Sequence, residues 1–334
     1  MTDKQIQNID KPKRAPKRDV DGVFLLDKPS GISSTLALMK VRGIYRANKG
    51  GHTGSLDPLA SGLLPICLGQ AAKFSTYFLE GSKKYQATGK LGIVTESGDA
   101  EGKVVETHEV TDEITRIEQA IEKFVGKITQ VPPIYSAIKV DGKPLYKYAR
   151  AGKEVEVPRR EVNIFYIKLL GTTEDTFTIE VYCSKGTYIR TLVSDIGSEL
   201  GCGAHVIMLR RIEVDGLPKG IMHSLETLQN LSDGREDQLD YEQMDSMLVP
   251  VEQAMSYLPK IVIPRDMAIA LCQGQRQTDL SNCVFENCSI EYEDPIQVRT
   301  DDNLFIGVAH IQKGVLISDR MMSDPLKTNT GLYK

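Results

Sequence analysis

Between Gly22 and Leu26 the chain reads Val23-Phe24-Leu25-Leu26, an unbroken apolar run. It predicts a buried strand that enters a turn at Asp27-Lys28-Pro29-Ser30-Gly31. The period then changes. Ser34 to Arg46 reads as a helix, capped by Ser33 or Ser34 and ended by the Gly50-Gly51 region. Alternation over 84–92 predicts a strand. Ile114, Ile117, Ile121 and Phe124 share one face of a helix expected over 112–125, with Thr111 or Asp112 as its cap and Gly126 at its end. Strands at 162–170 and 176–183 lead into Ser184-Lys185-Gly186-Thr187. There a further helix opens with Tyr188 and Arg190 in its first turn and Leu192, Val193, Ile196 and Leu200 facing inward.

After Pro259 the pattern becomes a series of short strands at 261–263, 296–298, 305–308 and 315–317, separated by Gly, Asn and Asp. That spacing suggests a small second domain built as a β barrel. Ahead of it, 224–252 holds eight acidic residues and one Arg and reads as a solvated helical edge or connector. Residues 1–19 are polar, carry two prolines and are rich in Lys and Arg, which predicts a disordered basic arm. The expected organisation is α+β. A mixed, mainly antiparallel sheet flanked by helices spans 20–259, a β-barrel domain spans 260–327, and 328–334 form a tail.

Composition narrows the class. The chain has 334 residues, of which 41% are hydrophobic and 26% charged, ordinary values for a chain with a real core. No apolar run is long enough to span a bilayer, and the first residues lack the apolar core of a secretion signal, so a cytoplasmic protein is expected. The six cysteines are scattered without a C-x-x-C pair, and the five histidines show no H-x-x-x-H spacing, so no metal is expected. Net charge is −4, which taken alone argues against a polyanionic partner. Its distribution argues otherwise. Residues 1–90 hold 15 Lys and Arg against 7 Asp and Glu, whereas 221–334 hold 9 against 18. A nucleic acid would be drawn to the first part and repelled by the last.

The chemistry concentrates in Gly51-His52-Thr53-Gly54-Ser55-Leu56-Asp57-Pro58-Leu59-Ala60-Ser61-Gly62. Small residues let the backbone approach another group closely, and Pro58 biases Asp57 towards an extended conformation. From Lys28 to Leu79, Asp57 is the only acid, set among Lys28, Lys40, Arg42, Arg46, Lys49 and Lys73. A carboxylate in such a field is expected to stay ionised and to serve as nucleophile or base. No second carboxylate stands in this block, which weighs against glycoside hydrolysis. A second constellation, Ser184 to Thr191, offers a glycine-led helix start together with Tyr188 and Arg190, and Arg190 can pair with a carboxylate. In a third, Cys202 to Arg211, His205 and Cys202 read as core, and Arg210-Arg211 serve either structure or phosphate contact.

Together these segments, with Pro132-Pro133-Ile134-Tyr135-Ser136-Ala137-Ile138-Lys139, resemble the TruB family of bacterial tRNA pseudouridine-55 synthases. The resemblance runs from about Gly22 to the C-terminus, and the late strands are similar to the RNA-binding PUA-type domain that ends such proteins. Ser55 and Ser61 depart from it by small changes in small residues. The resemblance implies that Asp57 is the nucleophile, that Tyr85 stacks on the target base, and that Arg190 pairs with the aspartate. Tyr188 and Leu209 would line the base pocket, His52 would hold the displaced loop, and Lys28 would lie near the pocket. It also implies a monomer that acts on the T-stem-loop of tRNA by base flipping, without a cofactor. Rival expectations are a guide-RNA-dependent subunit of a ribonucleoprotein and a tRNA-folding chaperone without chemistry.

Overall fold

The computed structural model describes residues 16–323 apart from 112, 137, 154, 233–239 and 290. The basic arm up to residue 15, the cap candidate Asp112 and the tail at 328–334 lie outside the described residues.

Seven strands carry the main sheet: β1 (Gly22–Lys28), β2 (Ser61–Leu68), β3 (Lys83–Leu91), β4 (Gly126–Gln130), β5 (Arg160–Thr172), β6 (Thr176–Cys183) and β7 (Ala204–Val214). Their order across the sheet is β1-β2-β7-β3-β6-β5-β4, antiparallel at every step except the parallel β2–β7 pair. Three short strands extend it: Gly50–His52 on β2, and His223–Ser224 and Leu248–Val249 on β1. The mixed, mainly antiparallel sheet expected from the sequence is present.

β1 is apolar from Val23 to Leu26 because both of its faces are covered there. Phe24 and Leu26 enter one core with Ala37 and Val41 of helix α1 (Ser34–Ile44) and Leu192, Val193 and Ile196 of helix α2 (Ile189–Leu200). Val23 and Leu25 enter a second core on the other face, with Phe74, Phe78, Phe305 and Val308. At roughly 1.5–3 kcal/mol for each large aliphatic side chain fully removed from water, β1 alone anchors both layers.

Three helical expectations change in detail. The span over 112–125 divides into a 3-10 turn at Glu113–Arg116 and a short α-helix at Ile117–Glu122. The tighter turn eclipses residues three apart, so Ile114 still reaches the core beside buried Ile117. α1 stops at Ile44, because Arg46 takes a positive φ of 56°, and Gly50–Gly51 belong to a strand. In the acidic 224–252 stretch, helices Leu225–Ser232 and Tyr241–Ser246 bury Leu228 and Met244 in the main core. These two helices are thus a largely solvated helical edge anchored on the core, not a connector.

The C-terminal strands are β8 (Lys260–Ile263), β9 (Val284–Glu286), β10 (Ile296–Thr300), β11 (Phe305–Gln312) and β12 (Val315–Met321). They form one sheet in the order β9-β8-β10-β11-β12. The expected barrel is not closed: β9 and β12 are opposite edges, and β9 has only three residues to offer. Helix α3 (Arg265–Cys272) contributes Ala268 and Leu271 to the core of this sheet. Among the described residues, no helix is long and apolar enough to cross a membrane.

Candidate active site

Asp57 lies in the loop between Gly50–His52 and β2, and several groups hold that loop from beneath. The buried Ser34 hydroxyl accepts from Leu56 N–H at 2.8 Å and donates to Leu56 O at 2.9 Å. Ser33, not Ser34, caps α1, accepting from Leu36 N–H at 3.2 Å. Gly31 N–H donates to Pro58 O at 2.8 Å. Lys28, fully buried at the end of β1, donates to Pro29 O and Ile32 O at 2.8 Å and reaches Pro58 O at 3.4 Å. Its donors are thus spent on backbone carbonyls, and burial lowers its pKa to about 8 although Asp57 pulls it upward. Arg211, 1% exposed, donates from Nε to Leu63 O at 2.7 Å and from Nη2 to Gly54 O at 2.8 Å. Gly62 has φ 96°, and a Cβ there would meet Arg211 O at 2.2 Å, so this position requires glycine.

Above the loop, the Arg190 guanidinium covers the Asp57 carboxylate. Nη2 donates to Oδ1 at 3.2 Å, and Nε stands 2.8 Å from Oδ2, off the N–H axis, as an ionic contact. The Arg190 side chain is 4% exposed and that of Asp57 38%, so the carboxylate is the half-open member of the pair. Arg190 is itself fixed from three sides. It donates to Ser97 O at 2.8 Å and to Tyr135 O at 2.9 Å, and its Nη1 lies 3.4 Å from Asp99 Oδ2. Asp99 in turn accepts from Ser97 Oγ at 2.5 Å. A bare carboxylate in a positive field was expected to stay readily ionised. Instead burial is the largest influence on Asp57 and raises its pKa, with Arg190 and Lys28 opposing and Asp99 adding to the rise.

One face of the sheet carries other residues singled out from the sequence. Tyr85 of β3 stands directly opposite Arg211 of β7, and Ala87 opposite Leu209. Residues two apart on a strand share a face, so Tyr85, Ala87, Leu209 and Arg211 point to one side. On the opposite face Arg210 forms a bidentate pair with Asp27 at 2.9 and 2.8 Å. Burial raises the Tyr85 pKa, while the Arg211 charge opposes it. Tyr188 is the N-cap residue of α2: its N–H donates to Gln130 Oε1 at 3.0 Å, its C=O accepts from Gln130 Nε2 at 3.2 Å, and Arg160 lies 5.4 Å over its ring. His52 pairs with Ile66 at the sheet edge, and its buried Nδ1 has no hydrogen-bond partner among the described residues. Burial first and Arg211 second lower its pKa.

The structure thus joins Asp57 to Arg190 and places Tyr85 and Leu209 on one face of the sheet. Lys28 lies against the backbone of the Asp57 loop, at Pro58 O. His205 and Cys202 are core, as read from the sequence, with His205 Nδ1 2.9 Å from Ile93 O. Asp99 and Gln130 carry no signal in the sequence, and Ser34 signals only a helix cap. Asp99 sits in an ordinary Gly-Asp turn, and nothing local links it to a helix 90 residues on. Among the described residues no cluster of His, Cys, Asp and Glu is arranged to hold a metal ion.

Comparison with known proteins agrees with this geometry. Residues 42–189 match the family profile described as TruB family pseudouridylate synthase (N terminal domain), and 190–256 match the tRNA pseudouridylate synthase B C-terminal domain. The tRNA pseudouridine synthase B of Actinobacillus succinogenes is 45% identical over 92% of this chain and 97% of its own length. The chain belongs to the TruB family. A second member, from Haemophilus influenzae, is also 45% identical, over 92% of this chain and 96% of its own. Among solved structures, a Cbf5-Nop10-Gar1 complex matches with TM-score 0.69 and 26% identity, covering 90% of this chain and 84% of that one. The TruB profiles cover Asp57, Tyr85, Arg190 and Leu209, the residues that the fold brings to one side of the sheet.

Proposed function

We propose that this TruB-family chain isomerises the T-loop uridine of tRNA, position 55, to pseudouridine, with Asp57 as nucleophile and without a cofactor. The observation that carries the reading is the half-open Asp57 carboxylate held by a buried Arg190, with Tyr85 and Leu209 sharing one face of the sheet. The target uridine leaves its stack at a cost of a few kcal/mol. Stacking on Tyr85 returns about 1–3 kcal/mol of that cost. Tyr188 and Leu209 bound the base, and His52 helps hold the displaced loop. The C1′–N1 bond breaks, the base turns in place, and C1′ bonds to C5. N1 ends protonated and C5 loses its proton, so atoms and electrons balance without an oxidant. Attack of Asp57 on C1′ and a glycal formed by proton loss at C2′ both satisfy that balance.

In this reading the protein works as a cytoplasmic monomer. Residues 20–259 perform the chemistry, and the sheet within 260–327 serves as a PUA-like contact for the tRNA. Identity of 45% to tRNA pseudouridine synthases B over most of both chains supports a stand-alone enzyme. The likeness to a Cbf5 complex favours the guide-dependent alternative, at lower identity. The test is pseudouridine formation on an unmodified tRNA transcript with no guide, wild type beside Asp57→Asn, with the modified position mapped. One converted T-loop uridine in wild type, with the variant binding but inert, is expected. Binding without product in both would leave a chaperone, and product only with a guide would leave a ribonucleoprotein subunit.

A further inference from the structure

Arg211 is the largest fully buried side chain of the described residues, yet among those residues no carboxylate lies within ion-pair distance of it. An unpaired buried guanidinium is expensive, and a hydrophobic residue of similar volume would cost less unless the charge acts on something. Two groups lie within its reach. Its Nη2 holds the carbonyl of Gly54, three residues before Asp57, while its Nε is anchored on Leu63 O. On the same face of the sheet it stands directly across the ladder from Tyr85. Directly opposed residues have Cβ atoms about 4.5–5.5 Å apart, within reach of long side chains. Neighbouring glycines make room for it: Gly62 lies opposite Arg211 on β2, and a Cβ at Gly54 would come 3.2 Å from Nη1.

We infer that Arg211 is a positioning residue that ties the Asp57 loop to the Tyr85 hydroxyl, so that nucleophile and base platform keep one spacing. This rests on the pseudouridine-synthase reading of the site. The loop end is set by the bond to Gly54 O, and the sheet end by the register that places Arg211 directly opposite Tyr85. The charge of Arg211 also opposes the rise that burial imposes on the Tyr85 pKa. A lysine keeps the charge but lacks the planar fork needed to serve Leu63 O, Gly54 O and the phenol together.

The test is a double-mutant cycle of Arg211→Lys and Tyr85→Phe, with single-turnover rate and KM for a tRNA transcript measured on each protein. Arg211→Lys is expected to lower the rate by about 100-fold with KM within about threefold of wild type. Tyr85→Phe, which keeps the ring and its packing, is expected to lose about 10-fold. In the Tyr85→Phe background the lysine change should cost much less than it does alone, because the link it breaks has lost one end. Losses that multiply independently would overturn the inference, as would a wild-type rate for either single variant. Should Arg211→Lys fail to fold, the same cycle run with Arg211→Gln, which keeps a planar donor without the charge, decides by the same criterion. Absence of product from wild type itself would count against the reaction and not against this coupling.

Discussion

Burial and charge pull the Asp57 carboxyl in opposite directions, and Arg190 is the main force restraining the rise. If Asp57 must be ionised to attack, the rate falls as pH drops through its raised pKa, so the acid limb of the kcat profile lies above the usual carboxylate range. Replacing Arg190 by Ala removes the opposing charge and should move that limb to still higher pH. It should also cost at least about 100-fold in kcat, as losses of preorganised active-site electrostatics do. Asp99 acts with the opposite sign, because its charge adds to the rise at Asp57. Asp99→Asn should therefore lower kcat by loosening Arg190 while shifting the acid limb to lower pH. Profiles of the two variants against wild type decide the matter. Shifts in the same direction would mean that Asp99 and Arg190 do not act on Asp57 as a charge network. A profile of Arg190→Ala that matched wild type would remove Arg190 from the site.

At the level of elements, the catalytic loop is held by contacts between segments close in space and separated in sequence. Ser34 opens α1, yet its hydroxyl serves both backbone groups of Leu56. Ser34→Ala leaves that buried N–H and C=O unpaired, at a cost of about 1–3 kcal/mol in stability. We expect a right-shifted urea curve to be absent, a lower midpoint in its place, and a reduced kcat, with tRNA affinity little changed. A variant that keeps both stability and turnover would show that Lys28 and Arg211 hold the loop without it. Periodicity did reveal α2, because Leu192, Val193, Ile196 and Leu200 repeat cleanly and all four are buried. It also located β1, β3 and β6 to within a residue or two. The same spacing over 112–125 misled, since a 3-10 turn followed by a short helix presents Ile114, Ile117 and Ile121 to the core much as one helix would. The sequence presents Ser34 as a helix cap, and its hydroxyl clamps the loop instead. Only the position of Leu56 in space reveals that role.

Across the whole molecule, the two sheets are not beads on a string. Phe305 and Val308 of β11 belong to the same core as Val23 and Leu25 of β1, and Phe305 meets Phe74 with ring centroids 5.7 Å apart. Polar ties reinforce this seam: Lys73 Nζ donates to Ser323 Oγ at 2.6 Å, and Gln297 Nε2 donates to the buried Met255 O at 2.6 Å. A division near Pro259 was readable from the change in strand length. The shared core was not, because nothing in the spacing of either half shows that a phenylalanine at 305 completes a cluster begun at 23. The physical consequence is that a chain cut after 259 would expose the apolar face made by Val23, Leu25, Phe74 and Phe78. The milder test is Phe305→Ala, which should cost about 3–5 kcal/mol for a buried aromatic truncated in place. Hydrogen exchange reports where that cost falls. If one core spans both sheets, amides of β1 and β2 will exchange faster along with those of β11. If only amides of 260–323 accelerate while Val23 and Leu63 keep their protection, the two sheets are energetically separate, and the contact between Phe74 and Phe305 joins them without stabilising the catalytic side.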